Sequence, residues 1–243
     1  MNKVKSLLQG LPAALLVLSA AISIYAQDPT GVKHNARPQQ AAAATTVARE
    51  NKAADLKYTY EFSQPKFNIS HIVLEHDVNG RGTVTFRRLN EETPIVEPLS
   101  LSPSVLERVK LAWQSLQFLD SDTDYQASKQ FPHLGTMKIG MQQGERKRVA
   151  EFNWTNNEDA STLISEYRKA ADQAILIFDI SIARENQPLN APKLMEVMES
   201  YLKREALSDP HQLLKLLQEL STDEHVPLIA RNHALRLIKK IQK

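Results

Sequence analysis

The chain has 243 residues, of which 42% are hydrophobic, and its 30 basic and 28 acidic residues give a formal net charge of +2. Lys3 and Lys5 account for that excess, so the remainder of the chain is formally neutral. Nucleic-acid binding requires a basic surface, and we therefore expect no nucleic-acid partner. The sequence contains no cysteine, which excludes disulfides, thiolate metal sites and iron–sulfur clusters.

The first 26 residues have the features of a secretory signal peptide. Lys3 and Lys5 form a basic start, residues 11–24 are largely apolar, and Ala26 is a small residue at a cleavage position. The apolar stretch is shorter than the roughly 20 residues that a membrane span needs. The sequence therefore predicts export to the periplasm or the medium, with no stable membrane span after cleavage. Retention of the signal as an anchor is the alternative.

Residues 27–55 are rich in alanine, glutamine, proline and threonine and contain almost no large apolar residue. Such a segment cannot bury enough surface to offset its ordering entropy, which predicts a disordered tether. The remaining chain divides into an expected α+β domain over residues 56–186 and a helical module over residues 187–243.

Alternating apolar residues predict strands at the start of the α+β domain. The alternation runs through residues 58–62 and resumes over residues 67–77 after an interruption at Pro65. Asn79-Gly80 then predicts a tight hairpin turn into a return strand over residues 83–89, because both residues tolerate a positive φ.

Pro94 and Pro98 are expected to end these strands, and a helix follows. Ser104 and Glu107 have the spacing of a capping box at its start. Helical spacing predicts a buried stripe of Val105, Val109, Ala112, Trp113 and Leu116.

The same order of elements then repeats. Residues 137–141 and 150–154 alternate as strands, and a second helix is expected from about Asp159 to residue 186. The sequence therefore predicts an α+β fold, in which a four-stranded antiparallel sheet of ββαββα order carries its helices on one face. We assign the aromatic residues Trp113, Trp154 and Tyr167 to the core because of their spacing.

Helical periodicity continues to the C-terminus. Residues 192–206 predict one helix, and prolines at positions 210 and 227 begin two more. Because of its leucine-rich first helix, its Asp-containing turn and its apolar second helix, the segment 209–241 resembles a single HEAT-type repeat. That resemblance implies a helical hairpin with a binding surface and no catalytic role. In the order of its segments the whole chain also resembles small exported bacterial proteins of unknown function.

One acidic loop resembles half of a calcium site. Asp120, Asp122 and Asp124 alternate as in an EF-hand loop, but the sixth and twelfth positions from Asp120 are Tyr125 and Phe131 instead of glycine and glutamate. We therefore predict a solvated loop and no defined metal site, with weak calcium binding as the alternative.

A second polar cluster lies in a predicted strand. The segment from His71 to His76 has one residue too many for a zinc-protease motif. In a strand, His71 and Glu75 share a face and His76 points to the other, so we expect a small polar pair. No sequence motif for a cofactor is present.

These observations favour a noncatalytic protein-interaction module whose partner is another protein of the cell envelope. The expected contact surface lies on the terminal helices and consists of Met198, Tyr201, His225, Arg231 and His233. Two alternatives remain open. One is a hydrolase that combines the polar pair with the acidic loop, and the other is a carrier with a ligand pocket between the sheet and the helices. The sequence does not specify an oligomeric state.

Overall fold

A computed structural model describes residues 56–243, so the predicted signal peptide and tether lie outside the described residues. The strands are β1 Leu56–Ser63, β2 Ile69–Asp77, β3 Arg81–Arg88, β4 Ile95–Ser100, β5 Thr136–Gln143 and β6 Arg146–Phe152. The helices are α1 Pro103–Leu116, α2 Glu158–Asn186, α3 Ala191–Lys203, α4 Leu214–Thr222 and α5 Leu228–Ile241. Within residues 56–243, no helix is both long and apolar enough to cross a bilayer.

The strands form one antiparallel sheet in the order β4-β3-β2-β1-β5-β6. The predicted α+β class with an antiparallel sheet is confirmed, but the predicted count of four strands is wrong because the sheet has six. The turn after Pro65 reverses the chain, so β1 and β2 pair side by side, with Tyr60 opposite Leu74. Pro98 does not end the strands but lies within β4. An edge strand accommodates proline because one of its sides has no neighbouring strand, so the missing N–H leaves no hydrogen bond unmade.

The first core lies between one face of the sheet and the helices α1 and α2. Alternate strand residues point towards these helices, as the period of a strand requires. Side chains at most 1% exposed include Tyr60, Phe62, Leu74, Val84, Phe86, Val109, Ile139, Leu163 and Tyr167. Burial of each large apolar side chain contributes about 1.5–3 kcal/mol. This face therefore holds the sheet and the two helices together.

The predicted stripe of α1 is confirmed, since all five of its residues are buried. The predicted capping box is wrong. Ser102 occupies the N-cap position and makes no side-chain cap bond, while its hydroxyl lies 3.2 Å from the hydroxyl of Ser104. Pro103 at the first helical position explains how the helix begins without such a box, because proline has the helical φ and no N–H to satisfy.

A second core packs the C-terminal half of α2 against α3, α4 and α5. Its most buried members are Ile180, Met195, Met198, Leu213, Leu217, Leu220, Val226, Ala234 and Leu237. Buried Gln173 of α2 ties the two regions together: its Nε2 donates to Gln212 Oε1 at 3.0 Å, and its Oε1 accepts from the Asp209 N–H at 2.9 Å. Helix α2 therefore belongs to both cores.

Candidate functional site

The face of the sheet opposite the helices is polar and concave. A cavity of about 610 Å³ lies on it, with a lining that includes Lys57, Glu61, Val73, Glu75, Lys138 and Lys147. At Gly140 a Cβ atom would lie 2.3 Å from Thr59 Oγ1, so the threonine side chain occupies the space that the glycine leaves. One polar face of this kind is usual for an antiparallel sheet that packs its other face on a core.

His71 lies on this open face, but its partner is not Glu75. His71 Nε2 is 3.1 Å from Glu61 Oε1, and Lys138 Nζ lies 3.6 Å from Glu61 and 3.6 Å from Glu151. These four side chains form a cross-strand row in which basic residue types alternate with glutamates. Such pairs stabilise a sheet by about 0.2–1 kcal/mol each, which is a sufficient structural role for His71.

The acidic loop is held by basic side chains of β6. The Asp120 carboxylate accepts a hydrogen bond from Arg146, and Asp124 Oδ1 accepts from the Gln126 N–H at 2.9 Å. Arg148 donates to the backbone carbonyl of Thr123 at 2.7 Å. Among residues 56–243, no three histidine, aspartate or glutamate side chains are arranged to hold a metal ion.

The structure does not bring the polar pair and the acidic loop together. His71 lies opposite Ser63 at one end of β1, whereas Arg146, which binds the loop, lies level with Leu56 at the other end. With about 3.3 Å per residue, the two ends of β1 are about 23 Å apart. A single substrate bond cannot contact both groups across that distance.

The first core contains a buried hydrogen-bond network that the sequence did not predict. His76 Nδ1 donates to the backbone carbonyl of Asp77 at 2.7 Å, so its Nε2 accepts from the Tyr167 hydroxyl at 2.8 Å. The same hydroxyl accepts from Trp113 Nε1 at 2.8 Å. Tyr58 stacks on the His76 ring with centroids 4.9 Å apart. These contacts join the sheet to both α1 and α2.

Burial governs the ionisation of this network. Loss of solvation lowers the pKa of His76 and raises the pKa of Tyr167 well above its usual value. Both groups are therefore neutral at physiological pH, as the directions of their hydrogen bonds require. The strand pattern did indicate that His76 faces away from His71, and this is confirmed. Its partner Tyr167 lies 91 residues away in helix α2, a separation that periodicity cannot predict.

The structure divides the residues of the predicted contact surface between the core and the exterior. Met198 is fully buried, and His233 is buried against Glu199, with Nε2 and Oε2 3.0 Å apart. Tyr201 is half-buried, and His225 is exposed beside Asp223.

Arg231 is the remaining residue of that surface, and it lies on α5. Its side chain is half-buried, and its Nε is buried without a hydrogen-bond acceptor in the described part of the chain. It forms no ion pair with residues 56–243.

Helix α5 exposes apolar side chains that the sequence analysis did not single out. Leu228 is 61% exposed, Ile229 is 66% exposed and Leu235 is 46% exposed. The opposite side of the helix is buried in the second core through Ala230, Ala234, Leu237 and Ile241. We define the outer seam of α5 as Leu228, Arg231, Leu235 and Ile238, of which Arg231 and Ile238 are half-buried and Ile238 also contacts the second core. The residues 228–243 include five cations and no acidic residue.

No protein-family model matches this sequence, and no curated protein matches it. The HEAT-type resemblance of residues 209–241 stays a prediction. Function is therefore inferred from the surfaces of the molecule.

Proposed function

We propose that this protein is a noncatalytic protein-interaction module of the cell envelope and that α5 carries its binding surface. The observation that supports this most directly is the exposure of Leu228, Ile229 and Leu235 within two turns of one helix. Single exposed apolar residues are ordinary on protein surfaces. Several on one helix, surrounded by cations, are typical of an interaction site.

The other surfaces give less support to the two alternative classes. A hydrolase would need His71 and the acidic loop in one site, and each instead has structural partners at a different end of the sheet. A carrier would need space between the sheet and the helices. In the described structure the centre of that interface is filled by almost fully buried side chains such as Tyr60, Phe62 and Phe86. A cavity of about 720 Å³ between the sheet and α1 lies at its edge and is open to solvent.

The binding test uses point variants of the full chain. Removal of residues 187–243 would uncover Leu176 and Ile180, which pack in the second core, and a truncated chain would adhere to other proteins for that reason alone. The test variant is Leu228→Ser with Leu235→Ser. The matched control is Leu111→Ser on α1, where the leucine is 57% exposed.

Each protein is immobilised and incubated with envelope extract from its own host, and retained proteins are quantified by mass spectrometry. We expect a specific partner to be retained equally by the unaltered chain and the Leu111 variant. Retention by the α5 double variant should fall at least about tenfold, because two truncated leucines remove roughly 1.4 kcal/mol or more of binding free energy. Circular dichroism melting verifies that both variants remain folded. Equal retention by all three proteins, or no specific retention, would contradict the proposal.

A further inference from the structure

We infer that the partner of this protein presents an acidic amphipathic helix that packs lengthwise against the outer seam of α5. This inference rests on the proposed function and names the chemistry of the partner at the same surface. Three features of α5 support it: the spacing of the outer seam, the sign of its charge, and the unpaired guanidinium at its centre.

The spacing of the outer seam is that of a helix–helix contact. Its members, Leu228, Arg231, Leu235 and Ile238, follow one another at intervals of three, four and three residues. That alternation keeps side chains on one line along a helix, as at the a and d positions of a coiled coil. The 14 residues of α5 extend over about 21 Å, which equals two heptads. An extended peptide would instead seek the free edge of a sheet.

The positive charge of α5 favours a partner with acidic side chains. Arg236 and Lys239 are exposed beside the outer seam, and Lys243 follows at the C-terminus. No carboxylate of α5 neutralises them, because the helix contains no acidic residue. Glutamates flanking the apolar line of a partner helix would pair with these cations, as flanking charges do in coiled coils. A second copy of α5 would place cations against cations, so self-association through this seam is disfavoured.

Arg231 lies at the centre of the seam and lacks a carboxylate among residues 56–243. Its Nε–H is buried without an acceptor, so the guanidinium is held in place by packing and not by an ion pair. Guanidinium groups form their strongest contacts with carboxylates in a fork geometry. A glutamate on the partner helix, opposite Arg231, would provide that contact through the terminal nitrogens and would fix the register of the two helices.

The experiment uses two designed 21-residue helical peptides with leucine at every a and d position. One has glutamate at the flanking positions and the other has lysine. Binding to the full chain is measured by fluorescence anisotropy. We expect the glutamate peptide to bind at least about tenfold more tightly than the lysine peptide, and less tightly as salt is raised. The variant Arg231→Glu with Arg236→Glu should reverse this preference, whereas Leu111→Ser should not change it.

Three results would overturn this inference, and the first of them would leave the proposed function standing. Retention of an envelope protein that requires Leu228 and Leu235, but is unchanged by the arginine reversals, would overturn the acidic-helix inference and leave the proposed function standing. Equal binding of the two peptides, or binding of neither, would overturn it as well. Vesicles of phosphatidylcholine with phosphatidylglycerol form a third arm. Binding to these vesicles in place of the glutamate peptide would show that the seam contacts an anionic lipid surface, and would also overturn the inference.

Discussion

Replacement of Tyr167 by phenylalanine tests the buried network most directly. The change removes one hydroxyl that accepts from Trp113 Nε1 and donates to His76 Nε2, both at 2.8 Å. It leaves the aromatic ring in place and so creates almost no cavity. Two buried polar atoms lose their only side-chain partner, and each such loss costs about 1–3 kcal/mol.

The expected net destabilisation is about 3 kcal/mol, because removal of the buried hydroxyl itself offsets part of the loss. For a folded region of this size, that corresponds to a decrease in Tm of roughly 6–12 °C. Urea unfolding monitored by tryptophan fluorescence should show a lower midpoint with an unchanged slope, since the surface exposed on unfolding stays the same.

Tyr125→Phe is the matched control. Tyr125 is also almost fully buried, but its hydroxyl has no hydrogen-bond partner in the described structure. Removal of an unpaired buried hydroxyl should leave stability unchanged or raise it slightly. The reasoning is refuted if both tyrosine variants shift the urea midpoint by the same amount.

Three further changes test other parts of the structure. Hydrogen bonding to Lys240 lowers the pKa of Glu199 from 4.5 to about 2, so its charged form stabilises the fold above pH 4.5 and this contribution is lost as the pH falls towards 2. Glu199→Gln should therefore lower Tm at pH 7 and have almost no effect near pH 2. Gly82→Ala should cost more than about 3 kcal/mol or prevent folding, since its Cβ would lie 1.8 Å from the carbonyl oxygen of Glu75. Gln173→Ala should cost about 1–3 kcal/mol and increase hydrogen exchange in α3, α4 and α5.

Each of these changes has a control within the chain. Glu196→Gln lies on the same helix as Glu199 at an exposed position but leaves the contacts of Glu199 in place, so at pH 7 it should change Tm far less than Glu199→Gln does. For Gly82 the comparison is Gly140→Ala, where the nearest atom belongs to the Thr59 side chain and can move, so the loss should be smaller. The control for Gln173→Ala is Lys169→Ala, also on α2. In the described residues the Lys169 side chain makes no hydrogen bond to the terminal helices, whereas Gln173 makes two.

The helices were predictable because their signals are local. The apolar stripe of α1 recurs at helical spacing, and all of its members are buried. The predicted start of α2 at about Asp159 is one residue from the observed start at Glu158, where Asn157 caps the helix through the Ala160 N–H at 2.9 Å. Signals of this kind depend on neighbours in the sequence and do not require knowledge of the fold.

The sheet was harder to predict because strand pairing depends on position within the sheet. Pro98 indicated the end of a strand, whereas β4 tolerates it at the edge. In the sequence, Trp154 continues the apolar alternation of β6 and was assigned to the core. In the structure β6 ends at Phe152, and the Trp154 side chain is exposed. Proline positions and apolar alternation are local features of the sequence. Neither shows which strands have one neighbour in the sheet and which have two.

The binding seam could not be predicted from the pattern of α5, because two apolar lines run along that helix. Ala230, Ala234 and Leu237 form one line, and Leu228 and Leu235 belong to the other. Only the packing of α3 and α4 determines which line is buried. On α5 the predicted contact surface therefore included His233, which the structure buries, and did not include Leu228 or Leu235.

Helix α2 has a mechanical consequence for the proposed binding surface, because it belongs to both cores. At about 1.5 Å per residue, its 29 residues extend over about 43 Å. Tyr167 holds the helix in the first core against the sheet, and Ile180 holds it in the second core, which also contains residues of α5. A force applied by a partner at α5 therefore passes to the central strand β1 along a continuous hydrogen-bonded rod. Within residues 56–243, α5 and the sheet should therefore move together under a pulling force.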